Sequence, residues 1–325
     1  VDRRAVILEP KALDANAEPE VPAQRVVVET DFYTAILTSA GGRIESFRLK
    51  DHRTAVDPES PGLEMVEPAE NGDLPLGVEL RGLENDGGSG KVITLGDRTA
   101  SYAMSAEGTL RLADADVRVV EMIWNGPGGT IKKRLTFRGD RRDIDVAIVG
   151  EGMQPRYTQL ALSWPSPVSS AEHESLFDRI EYLQGRSLEQ YHLDDSDLLA
   201  GQVVEPPRTA EDPAWKWVGL SGKHFLVAMV PLHAAQQDPE SAAGFAEPHP
   251  TLFMKQRTMG SASGQKFLRA QLLFPVRASA VEQDVKLYLG AKSVELLEPV
   301  GHTLSRAVDL GWFSFIALPL LWMLR

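Results

Sequence analysis

Residues Val117 to Phe137 read VRVVEMIWNGPGGTIKKRLTF. The runs Val117 to Trp124 and Thr130 to Phe137 are rich in β-branched and aromatic residues, with apolar and polar positions alternating as in a strand that buries one face. Between them stands Asn125-Gly126-Pro127-Gly128-Gly129, a dense cluster of turn-forming residues. The stretch predicts an antiparallel β-hairpin, and its texture recurs along the chain. Upstream lie Val26-Val27-Val28, Phe32 to Leu37 and Ile44 to Leu49, the last two separated by Gly41-Gly42, which supplies the positive φ of a tight turn. Lys91 to Leu95, Ala100 to Met104, Asp143 to Val149, Trp215 to Leu220, His224 to Pro231, Thr251 to Arg257, Gln265 to Pro275 and Val285 to Leu289 repeat the pattern. Short strands at this spacing predict an antiparallel sandwich or barrel, not alternating βαβ units.

Three stretches depart from that texture. Residues 1–24 mix Pro10, Pro19 and Pro22 with small and charged residues and read as a flexible linker. Pro165 to Pro213 is polar and acidic, with Glu172, Glu181, Glu189 and Asp194 to Asp197, and predicts an excursion from the sheet. Glu295 to Ser305 has a weak helical period, after which Asp309 stands where a carboxylate caps a first helical turn.

With 325 residues, 43% of them hydrophobic, the chain has material for one large β domain or two ordinary ones. Its 34 Lys and Arg against 46 Asp and Glu give a formal charge of -12, which argues against nucleic-acid binding. The absence of Cys excludes disulfides and thiolate metal sites or nucleophiles. Val1-Asp2-Arg3-Arg4 followed by only Ala5 to Leu8 does not form a secretory signal, and the sequence stops inside its most apolar stretch, so we expect a piece of a longer protein.

No spacing points to catalysis. The seven His, at 52, 173, 192, 224, 233, 249 and 302, never stand at i, i+4 with a Glu as a helical zinc site requires. Asp194-Asp195-Ser196-Asp197 resembles part of a calcium loop, but the template needs Gly where Ala200 stands, and a solvated acidic loop fits better. Gly87-Gly88-Ser89-Gly90 lacks the strand and helix that flank a phosphate-cradling loop or nucleophile elbow. We expect no metal, no cofactor and no catalytic residue.

Leu310 to Arg325 carries one charge, at its very end, and Trp near both ends. Trp is favoured at a bilayer interface. As a helix, sixteen residues would span roughly 24 Å, short of a hydrocarbon core of about 30 Å. An interfacial helix and the start of a membrane span both fit, as does a terminal helix buried in the domain's own core. On the membrane readings the contacting residues are Trp312, Phe313, Phe315, Ile316, Leu318, Leu320, Leu321 and Trp322.

Several of these pieces together resemble the periplasmic domain of the YidC-family membrane protein insertases of Gram-negative bacteria. Val26-Val27-Val28-Glu29-Thr30-Asp31 running into Ala35 to Ile44, with its Gly-Gly turn and Leu49 beyond, resembles that domain's opening strands. Trp217-Val218-Gly219-Leu220 followed by Phe225 to Pro231 is similar to a family strand pair. Lys286-Leu287-Tyr288-Leu289-Gly290-Ala291-Lys292, then Asp309-Leu310-Gly311-Trp312-Phe313 and Pro319-Leu320, resembles the family's approach to its next membrane segment.

The resemblance covers residues 25–325 and implies a mainly β fold, a β-supersandwich of two large antiparallel sheets similar to mutarotase-like proteins. It divides the chain into a linker (1–24), a periplasmic sandwich (25–292), a short helical link (293–309) and an interfacial helix or membrane entry (310–325). It implies a non-enzymatic part of an insertase and chaperone in the inner membrane, aiding nascent membrane proteins alone or with the Sec translocon. SecDF-type accessory proteins and inner-membrane lipid are the further partners implied. A carbohydrate-binding or mutarotase-like protein on the same fold is the alternative, and an envelope scaffold a third reading.

Overall fold

A computed structural model describes residues 22–53, 60–66, 73–86, 89–166, 176–192, 203–204, 215–232, 249–257 and 265–308. It is built from β-strands, numbered here in chain order, that hydrogen-bond into three sheets. The first contains β1 (Arg25–Glu29), β2 (Tyr33–Thr38), β3 (Arg43–Arg53), β4 (Gly62–Glu64) and β8 (Gly108–Arg111), in the order β4-β3-β2-β1-β8. The second holds β5 (Gly77–Asp86), β6 (Ser89–Gly96), β12 (Tyr157–Pro165), β15 (Val203–Val204), β18 (His249–Arg257) and β19 (Gln265–Pro275), in the order β15-β18-β19-β12-β5-β6.

The third and largest sheet is formed by β7 (Ala103–Met104), β9 (Val117–Gly126), β10 (Gly129–Arg138), β11 (Asp143–Glu151), β13 (Arg179–Gln184), β14 (Ser187–His192), β16 (Trp215–Ser221), β17 (Phe225–Leu232) and β20 (Val281–Ala291). Its order is β14-β13-β16-β17-β20-β11-β10-β9-β7.

The expected mainly β architecture of large antiparallel sheets is present. The six- and nine-stranded sheets are antiparallel throughout, whereas β1 and β8 of the five-stranded sheet run parallel. The hairpin from Val117 to Phe137 pairs in register from Gly126↔Gly129 to Val117↔Arg138. Gly41 and Gly42 take φ of 67° and 56°, as the turn between β2 and β3 demands.

Two expectations need correction. The stretch 165–213 is not wholly an excursion, because Arg179–Gln184 and Ser187–His192 form a hairpin at one end of the nine-stranded sheet. Its Ile180 and Tyr182 face the core, while Glu181 between them is also buried, on the other face. β5 and β12 were not anticipated, and both are central strands of their sheet.

One continuous core fills the space between the sheets. The nine-stranded sheet contributes Val120, Met122, Ile131, Leu135, Phe137, Ile144, Val146 and Ile148; the others contribute Val26, Leu37, Phe47, Leu80, Leu160, Trp164 and Phe274. On β10 this alternation sends Lys133 inward with Ile131 and Leu135, and its side chain has no solvent exposure.

Lys133, on the nine-stranded sheet, is held by partners from the other two sheets. Its Nζ donates to the Gly41 and Gly42 carbonyls (2.8 and 3.0 Å) in the β2–β3 turn, to the Leu76 carbonyl (2.8 Å) ahead of β5, and to Asp97 Oδ2 (2.5 Å) just past β6. Asp97 also accepts from Arg43 Nη2 (2.6 Å), the Val78 backbone N–H (3.1 Å) and the Tyr102 hydroxyl (2.9 Å). The Lys133 ammonium lies 4.6 Å from the Tyr102 ring centroid. A Cβ added at Gly77 would fall 2.1 Å from Arg43 Nη1, so the cluster closes only around a glycine there. Burial, only partly opposed by Asp97, pushes the Lys133 ammonium down to about 8. Burial and the neighbouring Asp97 carboxylate push the Tyr102 phenol well above its usual range.

Candidate functional site

The chain leaves the nine-stranded sheet at the end of β20 and continues as a link. Ser293 has extended backbone geometry and its hydroxyl accepts from the Leu296 N–H (3.4 Å), capping a single helical turn, α1 (Val294–Leu297). Gly301, His302 and Thr303 then adopt φ of 80°, 54° and 59°, three consecutive left-handed residues that reverse the chain into a 3-10 turn at Leu304–Ala307. The expected helical link is thus two four-residue pieces joined by a tight reversal. No single helix forms, because Pro299, Gly301 and the left-handed residues interrupt the weak period.

The link lies against the outer face of the nine-stranded sheet. Leu297, Leu304 and Ala307 are fully buried in a second hydrophobic cluster with Leu183 on β13, Trp217 on β16, Leu226, Ala228 and Val230 on β17, and Tyr288 on β20. The strand registers explain the seat: Leu183 opposes Trp217, and Ala228 opposes Tyr288, so these side chains share one face. Burying a Leu there contributes roughly 1.5–3 kcal/mol.

Polar groups fix the start of the link. Lys292 Nζ donates to Ser221 Oγ (2.8 Å) and Glu181 Oε1 (3.2 Å), and its backbone N–H donates to the His224 carbonyl (2.7 Å). Gln190 Nε2 donates to the same Glu181 oxygen (3.0 Å). Glu181 Oε2 and Trp217 Nε1 are buried on this face without a hydrogen-bond partner among the described residues.

Beyond the seat the same face becomes ionic. Lys286 Nζ reaches Asp143 (2.5 Å) and Asp145 (2.7 Å), and Asp145 also pairs with Arg138 (2.5 Å). Burial raises the Asp145 carboxyl, but hydrogen bonds from Lys286 and Arg138 carry it below its usual value. Burial, then the charge of Lys286, lowers His302 at the link's reversal. Further along, Arg134–Glu121 (3.0 Å) and Lys132–Glu151 (2.9 Å) continue the pattern. This half of the face is ionic and near-neutral, with Asp143 and Lys286 buried and the other pairs more exposed, and the seated half is apolar.

The membrane-contact residues expected from sequence, Trp312, Phe313, Phe315, Ile316, Leu318, Leu320, Leu321 and Trp322, lie outside the described residues, as does the capping position Asp309. Among the described residues no helix is long and apolar enough to cross a membrane, and no three His, Asp or Glu converge as metal ligands. Sequence reasoning missed the seat itself. Its signal was present in β17, where seven successive residues, Phe225 to Pro231, carry no charge and so predict a strand buried on both faces.

The family model described as the YidC periplasmic domain matches residues 25–323. The chain is 28% identical over 318 residues to the membrane protein insertase YidC of Syntrophobacter fumaroxidans, covering 94% of this chain and 51% of that protein. It is 24% identical to the insertases YidC of Maridesulfovibrio salexigens (96% and 51% covered) and Geobacter metallireducens (93% and 51%). The chain therefore spans about half the length of these relatives. Among solved structures, a putative aldose 1-epimerase from Escherichia coli K12 superposes with a TM-score of 0.45 at 8% identity, covering 83% of this chain and 99% of that one. An α-N-acetylgalactosaminidase from Bifidobacterium bifidum gives 0.48 at 9% identity, with 84% and 38% covered. At such distance these two likenesses say nothing about activity.

Proposed function

The chain belongs to the family of YidC periplasmic domains, and we propose from this that it serves a membrane protein insertase by positioning, without catalysing a reaction. Membership fixes its location, a periplasm-facing domain of an inner-membrane protein. The observation that carries the functional reading is the link seated on the sheet: a large rigid body is coupled through Lys292, Leu297, Leu304 and Ala307 to the chain that continues toward Leu310 to Arg325. In this reading residues 25–292 are the body, 293–309 the coupling and 310–325 the contact with inner-membrane lipid, through Trp312, Phe313, Phe315, Ile316, Leu318, Leu320, Leu321 and Trp322. The client is a nascent membrane protein, met alone or beside the Sec translocon and SecDF-type proteins.

Depletion of the native insertase followed by complementation tests the coupling role. Full-length variants altered between Glu295 and Trp322 are expected to lose insertion of inner-membrane clients while the domain stays folded. Unimpaired insertion in all of them would remove the role assigned to the link. Deleting Trp312 to Arg325 is expected to abolish liposome association and leave the sandwich intact. Unfolding or aggregation of the shortened chain would instead assign that segment to the core.

A further inference from the structure

We propose that the link from Val294 to Val308 is a releasable strap: it lifts from the nine-stranded sheet as one unit, pivoting at Lys292 and Ser293, and uncovers the apolar seat beneath it.

Four observations lead there. First, the backbone hydrogen bonds donated by Leu297, Glu298, Gly301, Leu304, Arg306 and Val308 all end inside the link or on Ser293. Detaching it therefore breaks none of these bonds, unlike a sheet strand, whose ladder must be broken. Secondly, its grip is three fully buried side chains, Leu297, Leu304 and Ala307, on two separate short turns, with Val300 and Val308 packed against them only partly buried. Thirdly, the docked form holds His302 and Thr303 in left-handed backbone, which L-residues adopt at a cost. Fourthly, in the docked form Trp217 Nε1, in the seat itself, is buried without a partner among the described residues and regains water when the strap lifts.

The pivot is better fastened than the strap. Lys292 is tied to Glu181 on β13, Ser221 on β16 and the His224 carbonyl in the β16–β17 turn, so opening stops there. A segment with internal bonds, a small apolar grip and a firm hinge is the structural description of a local opening unit whose free energy lies below that of global unfolding. The surface uncovered consists of Leu183, Trp217, Leu226, Ala228, Val230 and Tyr288. Pulling on the chain beyond Val308 would thus change which face the domain presents.

The absence of native Cys makes the test clean. Ala228 lies in the seat and Ala35 in the main core, and both are fully buried, so Ala228→Cys and Ala35→Cys report two kinds of opening by iodoacetamide labelling of the full chain under native conditions. The seat thiol is expected to label at least about tenfold faster than the core thiol. Adding Leu304→Ala is expected to speed the seat thiol by on the order of thirtyfold or more and to leave the core thiol within about twofold. Equal labelling at the two sites, or a seat rate indifferent to Leu304→Ala, would overturn the strap. Once lifted, single turns of four residues lose the packing that keeps their own bonds closed and fray, so amide hydrogen exchange on the unaltered chain provides the second reading: Leu297, Leu304 and Val308 should exchange well before Val285 and Leu287 of β20, and exchange in step with β20 would equally overturn it. No membrane or client enters either measurement, so failure of the insertase reading leaves this outcome independent.

Discussion

The Lys133 cluster and the link's seat solve opposite problems with opposite chemistry. At the cluster, one buried ammonium on the nine-stranded sheet meets four oxygens from the other two sheets, and its removal would take a donor from three carbonyls and a counter-charge from Asp97. At the seat, apolar side chains meet apolar side chains, and water can replace either partner at a moderate and local cost. Polar burial of the first kind is all-or-none, because a half-satisfied network is worse than none. Apolar burial of the second kind is graded and reversible. The molecule thus places its irreversible joint between sheets and its reversible joint where the chain departs.

The largest expected effect breaks the first joint. Lys133→Met takes the donor from three buried carbonyls and leaves Asp97 with Arg43 as its charged partner, and should destabilise the whole domain by about 3–5 kcal/mol in urea unfolding. If the loss were confined to one sheet, with separate transitions for the others, the cluster would not be the joint described.

The next effect needs no substitution. Lys133 releases its proton near pH 8 when folded, against 10.5 as its ordinary value. Between those values the unfolded chain holds a proton that the folded chain has lost, so stability rises with pH by about 1.4 kcal/mol per unit, about 3 kcal/mol in all. Below pH 8 both states are protonated and this contribution is flat. Above pH 10 the raised Tyr102 acts the other way, since the unfolded phenol ionises first. The rise should vanish in Lys133→Met, and a flat profile from pH 8 to 10 in the unaltered chain would contradict the assignment.

The smallest effect sharpens the second joint. Thr303→Gly relieves a left-handed residue that contacts no cluster, and should tighten the docked link by about 1 kcal/mol or less. It is read as slower exchange of the Leu304 and Val308 amides, with global stability unchanged. Faster exchange would mean that Thr303 supports the reversal through its side chain.

The same contrast explains what the sequence disclosed. Alternation along Val117 to Phe137 and the glycines at 41 and 42 announced their hairpin partners because those signals are local. Lys133 was equally legible in principle: the period set by Ile131, Leu135 and Phe137 puts it inside, where a charge demands a partner. Nothing near it in sequence names Asp97 or the Leu76 carbonyl, which arrive from the six-stranded sheet. The hairpin at Arg179–Gln184 and Ser187–His192 was obscured by Glu181 and Glu189, whose charges read as solvent exposure although Glu181 is buried against Lys292. Of the link, the helical tendency was visible, but its reversal depends on left-handed His302 and Thr303, residue types that give no warning of that conformation.

The order of the nine-stranded sheet has a consequence in time. Among the described residues β20 is the last strand made, yet it stands in the middle, between β17 and β11, and joins β14-β13-β16-β17 to β11-β10-β9-β7. A chain delivered from its amino end has to hold two incomplete half-sheets apart until residue 291 emerges. Closure of the sheet and arrival of the link are therefore nearly simultaneous, and the domain finishes folding at the moment its tether to the next segment comes into being.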